Sequence, residues 1–167
     1  MTEKIKHILP ELSQVGIIVR DLETSIKCYS EIFGINFTNT ILNLDKHWVR
    51  DKLFPVELKV ALAQLGPIQL ELIEPISDGP HKWFLDNKGG GLHHLGFNIT
   101  DYDKTVALLK SVGLELLMNV EADIPTRGYH IRSANLESEK CGNVIFEVTE
   151  KKPIGKIEEK NPLKRSL

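Results

Sequence analysis

Hydrophobic and polar residues follow the same order of elements twice along this chain. In the first copy, residues 12–19 are rich in β-branched residues and predict a strand. Asp21 is a suitable N-cap for the helically spaced apolar residues that follow, and Gly34 predicts where this helix ends. Three more strands are predicted after the helix, at residues 35–44, 57–65 and 68–74. The first copy is therefore a predicted β-α-β-β-β module, with a loop at residues 45–55.

The second copy repeats this order in the other half of the chain. Residues 92–100 predict a strand, Asp101 predicts the N-cap of a helix, and Gly113 predicts the end of that helix. The strands that follow are predicted at residues 114–120, 129–134 and 144–149. When the opening strands of the two copies are superposed, Gly16 meets Gly96. The pattern indicates two copies of one module.

The repeat also sets the expected domain boundaries and fold class. We predict an α+β fold in a single domain over residues 12–149, with module 1 at 12–75 and module 2 at 92–149. A connector, residues 76–91, joins the modules. Residues 150–167 are rich in lysine, glutamate and proline and lack periodicity, so we expect a polar tail that is mobile or lies on the surface.

Composition limits the classes of partner. Apolar residues make up 41% of the chain and charged residues 26%, values typical of a soluble globular protein. The net charge of -2 gives no reason to expect nucleic acid or an anionic membrane as a partner. No apolar stretch approaches the roughly 20 residues needed to span a bilayer. The first ten residues lack the apolar core of a secretory signal, so a cytoplasmic location is expected.

The two cysteines predict neither a disulfide framework nor a metal motif. Cys28 and Cys141 are far apart in the sequence, and neither belongs to a C-x-x-C pair. Because Cys28 lies on the apolar stripe of the first predicted helix, we expect it to be a small core residue.

Four polar side chains occupy equivalent places in the two modules. Gln14 and His94 each take the first inward position of the strand that opens its module. Glu71 shares one face of its strand with Gln69, and Glu147 lies in the middle of an apolar strand. A buried carboxylate requires compensation, which a cation, an arginine or backbone donors can supply. Each module thus offers one residue from its first strand and one from its last, as expected for a shared site.

The chemistry of this set is that of a mixed oxygen and nitrogen metal site. Gln14, Glu71, His94 and Glu147 offer an amide oxygen, two carboxylates and an imidazole. Such donors suit Zn, Ni, Co, Mn or Fe, with zinc–ligand bonds of about 2.0–2.2 Å. Four polar residues with separate hydrogen-bond partners are the alternative interpretation, since no two of them are close in the sequence.

Several segments resemble the vicinal oxygen chelate superfamily, which includes glyoxalase I, methylmalonyl-CoA epimerase, extradiol dioxygenases and bleomycin-resistance proteins. The segments are Gln14-Val-Gly-Ile-Ile-Val-Arg-Asp-Leu-Glu, Leu70-Glu-Leu-Ile-Glu-Pro, Gly91-Leu-His-His-Leu-Gly-Phe and Val144-Ile-Phe-Glu-Val. The resemblance covers roughly residues 12–149. It implies a vicinal oxygen chelate domain whose modules form a curved mixed sheet around a metal-lined cup, with the four selected positions binding the ion.

Departures from the family pattern limit the reactions that this chain is expected to catalyse. Most members have histidine at the position of Gln14, and glutamine there is similar to some glyoxalase I enzymes. The metal site implied by a resemblance to extradiol dioxygenases consists of two histidines and one carboxylate. Among the four candidate ligands of this chain, His94 is the one histidine. The connector before His94 resembles the epimerase branch. That branch has a general-base glutamate where this chain has Pro55, and Glu57 is a candidate substitute.

The leading hypothesis is a metal-dependent enzyme that stabilises an enolate beside a substrate carbonyl, either an epimerase-like isomerase or a glyoxalase-like lyase. Gln14 and His94 are predicted metal ligands, and Glu71 and Glu147 are predicted to be both ligands and candidate catalytic bases. The ion is predicted to be divalent Zn, Ni, Co or Mn. The substrate is a small molecule with a carbonyl or thioester, and the resemblance implies a homodimer. The alternatives are a metal-independent drug-binding protein and, with less support, an extradiol dioxygenase.

Other polar and aromatic residues are open to two interpretations. His93 faces away from His94 on their strand and is interpreted as structural or solvent-facing. Arg50 and Arg127 could clamp a substrate carboxylate, although a solvated loop charge is the simpler interpretation. Three aromatic residues could line a cup or pack elsewhere: Trp48, Trp83 and Phe84.

Overall fold

The computed structural model describes residues 7–154 and has the α+β architecture expected from the pattern, a curved ten-stranded mixed sheet with three helices. The strands are β1 (Gln14–Ile18), β2 (Thr38–Leu44), β3 (His47–Val49), β4 (Lys52–Leu53), β5 (Val56–Leu65), β6 (Ile68–Pro75), β7 (Gly91–Ile99), β8 (Glu115–Ile124), β9 (Tyr129–Glu137) and β10 (Ile145–Pro153). The helices are α1 (Leu22–Phe33), α2 (Pro80–Lys88) and α3 (Tyr102–Ser111). Short 3-10 turns lie at Pro125–Arg127 and Glu139–Cys141.

The two modules join through their opening strands at the middle of the sheet. The strand order is β2-β5-β6-β1-β7-β10-β9-β8-β3-β4. Strand β1 runs parallel to β6 and antiparallel to β7, and β7 runs parallel to β10. The four central strands, β6, β1, β7 and β10, are therefore the last and first strands of module 1 followed by the first and last strands of module 2.

Both repeated helices begin where the sequence predicts. The Asp21 side chain accepts a 2.7 Å hydrogen bond from the backbone N–H of Thr24, and Asp101 accepts one of 3.0 Å from Lys104. These caps satisfy backbone donors that have no partner inside the helix. Helix α1 ends at Gly34 in the left-handed conformation, with φ of 65°. The predicted helix ends are confirmed to within two residues.

The predicted loop at residues 45–55 contains a short hairpin instead. Strands β3 and β4 pair with each other, and His47 of β3 pairs with Val120 of β8 in the other module. Arg50 and Asp51 form the turn with positive φ values of 46° and 66°. Strands of three and two residues are too short to show a clear alternation. The pattern therefore could not show that this segment extends the sheet at the edge of the other module.

The connector at residues 76–91 contains helix α2. Pro80 stands at its first position, where its missing N–H costs nothing, and Gly89 ends it in the left-handed conformation. Helix α2 is nine residues long, and its buried residues are His81 and Leu85. Its apolar stripe is therefore too small for the sequence to show a helical period.

The predicted tail and the predicted core cysteine need correction. Residues 150–153 continue strand β10. Glu150 is 6% exposed, and its carboxylate contacts the backbone N–H of Tyr102 and the Lys152 ammonium. The tail prediction is wrong for this stretch, and residues 155–167 lie outside the described part of the chain. Cys28 is exposed on α1, so it is not a core residue.

The helices that follow the opening strands cover one face of the sheet and leave the other face open to form the cup. Leu22 of α1 packs with Leu70 and Leu72 of β6, and Leu109 of α3 packs with Leu136 and Val148. Within residues 7–154, no helix has the length and apolar character needed to cross a bilayer.

Candidate metal centre

Four adjacent strands each contribute one of the four residues selected from the sequence. Glu71 lies on β6, Gln14 on β1, His94 on β7 and Glu147 on β10. The register places Gly16 opposite both Glu71 and His94, so the side chains on this face of the sheet point to one place. The period of two in each strand fixes which side chains face the cup, and the strand order brings these four together.

The four side chains meet at the Nε2 atom of His94. That nitrogen lies 3.2 Å from Gln14 Oε1, 3.3 Å from Glu71 Oε2 and 3.0 Å from Glu147 Oε2. One potential ligand atom from each of Glu71, His94 and Glu147 lies within 4.8 Å of the others. The Gln14 amide nitrogen donates a 2.9 Å hydrogen bond to Gln69 Oε1, which leaves the Gln14 oxygen turned toward His94.

The two carboxylates are held differently. Hydroxyl groups of Ser133 and Thr149 donate to Glu147 Oε1 at 2.8 and 3.2 Å, while Glu147 Oε2 faces His94. Among residues 7–154, His94 is the one polar partner of the Glu71 carboxylate. Glu147 is therefore fixed at both oxygens, and Glu71 is fixed at one.

The electrostatics of the centre favour opposite charges on neighbouring groups. Burial opposes the charged form of His94, but the carboxylates of Glu147 and Glu71 outweigh it and raise the pKa of His94 to about 8. Burial also works to raise the pKa of Glu147. The facing His94 and the hydroxyls of Ser133 and Thr149 prevail, and the pKa of Glu147 lies below its usual value.

The centre opens into a cavity of about 500 Å³. Leucine and valine side chains from β2 and β5 form much of one wall: Leu42, Leu44, Leu58, Val60 and Leu62. Arg127 and Lys151 also line the cavity. Burial and then the nearby Arg127 charge lower the pKa of Lys151, so two cations share this part of the wall. The cavity can accept a small molecule that is apolar in part and carries an anionic group.

Glu57 does not line this cavity. Its neighbours Leu58, Val60 and Leu62 alternate with it along β5 and face the cavity, so Glu57 belongs to the opposite face of the sheet. The candidate substitute for the epimerase glutamate is therefore placed away from the cup. Of the two arginines considered, Arg127 lines the cavity and Arg50 does not, and none of the three aromatic residues, Trp48, Trp83 and Phe84, is part of its lining.

A group of buried histidines beside the centre was not foreseen from the sequence. His93 is 5% exposed, so its interpretation as structural fits and its interpretation as solvent-facing is wrong. His47 and His81 are 2% and 8% exposed and both line the cavity. The sequence signal was weak, because His47 lies in the short hairpin and His81 in the short connector helix.

Comparisons with known proteins agree with this fold. Residues 13–130 match the family model described as the Glyoxalase/Bleomycin resistance protein/Dioxygenase superfamily. The chain is 30% identical over 142 residues to the mitochondrial methylmalonyl-CoA epimerase of Mus musculus, an alignment that covers 84% of this chain and 72% of that protein. It is 34% identical over 87 residues to the uncharacterized protein YqjC of Bacillus subtilis, covering 52% of this chain and 55% of that protein.

Solved structures show the same fold. The crystal structure of methylmalonyl-CoA epimerase from Mycobacterium tuberculosis aligns with a TM-score of 0.65 at 22% identity and covers 91% of this chain and 95% of its own. A Streptomyces coelicolor methylmalonyl-CoA epimerase variant in complex with 2-nitronate-propionyl-CoA aligns at 0.61 with 21% identity, covering 85% and 97%. The chain therefore belongs to the Glyoxalase/Bleomycin resistance protein/Dioxygenase superfamily and, within it, is homologous to the methylmalonyl-CoA epimerases.

Proposed function

We propose that this protein is a metal-dependent, epimerase-like isomerase that removes and returns a proton on the carbon beside a substrate carbonyl. The observation that carries the proposal is the convergence of three oxygen atoms, from Gln14, Glu71 and Glu147, on one nitrogen of His94. Sequence relatedness to methylmalonyl-CoA epimerases supports the same reaction class.

The donor set fits a divalent cation. His94 Nε2 carries at most one proton, so it can donate to only one of the three oxygens that surround it. Two carboxylates and an amide oxygen at this spacing leave negative charge that a cation would compensate. Gln14, Glu71, His94 and Glu147 would hold the ion, with Zn, Ni, Co and Mn all suited to these donors. A bound divalent ion would supply Lewis acidity toward the substrate carbonyl and so favour loss of the neighbouring proton.

The two carboxylates are the candidate bases. Glu71 and Glu147 lie on β6 and β10 and flank Gln14 and His94 from opposite sides. Exchange at a carbon with inversion requires one base on each face, and the flanking arrangement offers two. Because its carboxylate has one polar partner where that of Glu147 has three, Glu71 is the more suitable group to turn toward the substrate and take the proton. Glu57 is not needed for this scheme.

The cavity supports an anionic carbonyl compound as the substrate. Its wall combines leucine and valine side chains with Arg127 and Lys151, which suits the thioester of a dicarboxylic acid. A CoA thioester of the methylmalonyl type is the first compound to test, since the homologous epimerases are named for it.

Metal content and isotope exchange test the proposal together. Elemental analysis of the purified protein should find about one divalent ion per chain. Deuterium should enter the 2-position of methylmalonyl-CoA in heavy water. His94→Ala and Glu71→Ala should lose both properties, whereas His130→Ala, a histidine outside the cavity lining, should keep them. If His94→Ala and Glu71→Ala hold metal as well as the parent protein, the proposed function is wrong.

A glyoxalase-like lyase is the second candidate, favoured by Gln14. Its amide oxygen is turned toward His94 by the hydrogen bond to Gln69, as a ligand at that position requires. Assay of a 2-oxoaldehyde thiol adduct for isomerisation to the thioester separates the two reactions. A homodimer and a cytoplasmic location belong to the proposal as well, and sedimentation and cell fractionation test them.

A further inference from the structure

Four imidazole rings form a continuous row that leads from the candidate metal centre into the hairpin. The rings of His94 and His93 are 5.3 Å apart, those of His93 and His81 are 5.2 Å apart, and those of His81 and His47 are 6.0 Å apart. None of the four is more than 8% exposed. The row joins three separate elements, β7, α2 and β3.

The end of the row at the hairpin has a defined tautomer. His47 Nδ1 lies 2.8 Å from the carbonyl oxygen of Phe54, which can only accept a hydrogen bond. Nδ1 therefore carries the proton, and burial, which lowers the pKa of His47, keeps the ring neutral. His47 Nε2 then has no proton and carries a lone pair that can accept a hydrogen bond. It is buried without a partner, as is His81 Nδ1 in the neighbouring ring.

The end at the metal centre requires the matching tautomer. To bind a cation through Nε2, His94 must carry its proton on Nδ1. That atom lies 3.0 Å from His93 Nδ1, so His93 must accept there and carry its own proton on Nε2, on the far side of the ring. Donation thus runs from His94 to His93, and from there His81 is the next ring.

Resting on the proposed function, we propose that His93, His81 and His47 form a one-way hydrogen-bonded chain that holds His94 in the tautomer required for metal binding and ends on the Phe54 carbonyl. In this chain the two buried nitrogens without partners, on rings 6.0 Å apart, would become each other's partner: His81 Nδ1 would donate, and His47 Nε2 would accept. Neutral rings pointing in one direction turn a donor toward an acceptor at each step of the row, which two opposed donors or acceptors would not. These three histidines are positioning residues that act through His94.

Zinc titration of variants tests the chain. His93→Phe keeps an aromatic ring but removes the acceptor, and we expect a 10- to 100-fold weaker affinity for Zn²⁺, the size typical of losing an outer-shell partner. His93→Asn, which can accept through its amide oxygen, should recover most of the affinity. His81→Phe and His47→Phe should weaken zinc binding by successively smaller factors, and His130→Phe is the control. Circular dichroism establishes that each variant is folded.

Nitrogen chemical shifts of the zinc-loaded parent give a second test that needs no variant. Long-range ¹⁵N–¹H spectra should show His94 and His47 protonated at Nδ1 and His93 protonated at Nε2. Parent affinity in His93→Phe, or a proton on His93 Nδ1, overturns the chain while leaving the proposed function intact. If His94→Ala and Glu71→Ala both bind zinc like the parent protein, the proposed function is wrong, and the proposed chain is wrong with it.

Discussion

Gly16 lies directly opposite His94 in the β1–β7 pair, and the absence of a side chain at Gly16 is what leaves room for the imidazole ring. A Cβ atom added at Gly16 would overlap the Cε1, Nε2 and Nδ1 atoms of His94. The relationship is reciprocal across the repeat, because a Cβ at Gly96 would lie 2.8 Å from Gln14 Cβ and 3.0 Å from Gln14 Oε1. Each module thus supplies a ligand candidate and the space that its counterpart occupies.

Gly16→Ala is expected to abolish divalent metal binding, because the His94 ring must leave its position to make room for the new methyl group. Overpacking a core in this way costs about 1–3 kcal/mol of folding stability. Equilibrium dialysis with Zn²⁺ and urea unfolding measure the two effects. Gly96→Ala is the matched control. It should weaken metal binding less, because the residue that it displaces, Gln14, is an uncharged candidate ligand. A Gly16→Ala protein that binds zinc like the parent would contradict this account of the site.

Glu71→Gln and Glu147→Gln should affect different properties, the first deuterium exchange and the second metal binding. Two hydroxyls donate to Glu147 Oε1, so a glutamine there must place its oxygen toward them and its NH₂ group toward His94. Glu147→Gln should therefore lose most of its metal. Glutamine at position 71 can still offer its oxygen, so Glu71→Gln should keep metal and lose a factor of about 10²–10⁴ in deuterium exchange.

Elemental analysis and mass-spectrometric exchange distinguish these outcomes. Glu57→Gln, on the opposite face of β5, is the matched control and should resemble the parent protein in both. The assignment of Glu71 as the first base is wrong if Glu71→Gln exchanges deuterium at the parent rate.

Arg127 and Lys151 are expected to bind the anionic group of the substrate. Arg127→Gln and Lys151→Gln should each raise the KM for methylmalonyl-CoA about tenfold, the effect of losing one charge-assisted hydrogen bond, with a smaller change in kcat. Steady-state kinetics at two salt concentrations give the measurement. Lys152→Gln is the control, because Lys152 is the next residue on β10, is paired with Glu150 and is not part of the cavity lining. If the KM values of all three variants equal that of the parent protein, Arg127 and Lys151 do not bind the substrate.

Folding stability should fall in mild acid because of the buried histidines. Burial lowers the pKa of His47. Burial and then the imidazoles of His93, His47 and His94 lower the pKa of His81 far below 6.5, against the opposite effect of Glu147. The unfolded chain takes up protons near pH 6.5 that the folded chain excludes. Stability from these residues is therefore complete above about pH 6.5 and declines below it, by up to about 1.4 kcal/mol per pH unit for each histidine.

Urea unfolding of the metal-free protein between pH 6.5 and 5 measures this slope. His94 acts in the opposite direction, because its raised pKa of about 8 confers stability that is complete below pH 6.5 and is lost as the pH rises through 8. The two effects thus occupy separate pH ranges. His47→Phe and His81→Phe should flatten the acid slope, and His130→Phe, at a partly exposed position, should keep it. A parent protein equally stable at pH 6.5 and pH 5 would contradict the prediction.

The sequence by itself determined the duplicated β-α-β-β-β order, the caps at Asp21 and Asp101, and the faces on which Gln14, Glu71, His94 and Glu147 lie. These features follow from local rules, because strand period and helix capping depend on neighbouring residues only. The sequence also aligns Gly16 with Gly96, but the reason for the pair lies in the pairing of β1 with β7, where each glycine makes room for the side chain opposite it.

Only the tertiary structure decided which faces meet. The β3–β4 hairpin crosses to β8 of the other module, α2 brings His81 against His93, and Glu57 falls on the face away from the cup. These placements depend on pairing between strands distant in the chain and on elements too short to show a period, so local pattern carries no information about them. The four candidate ligands were therefore readable from the sequence, whereas the row of histidines behind them was not.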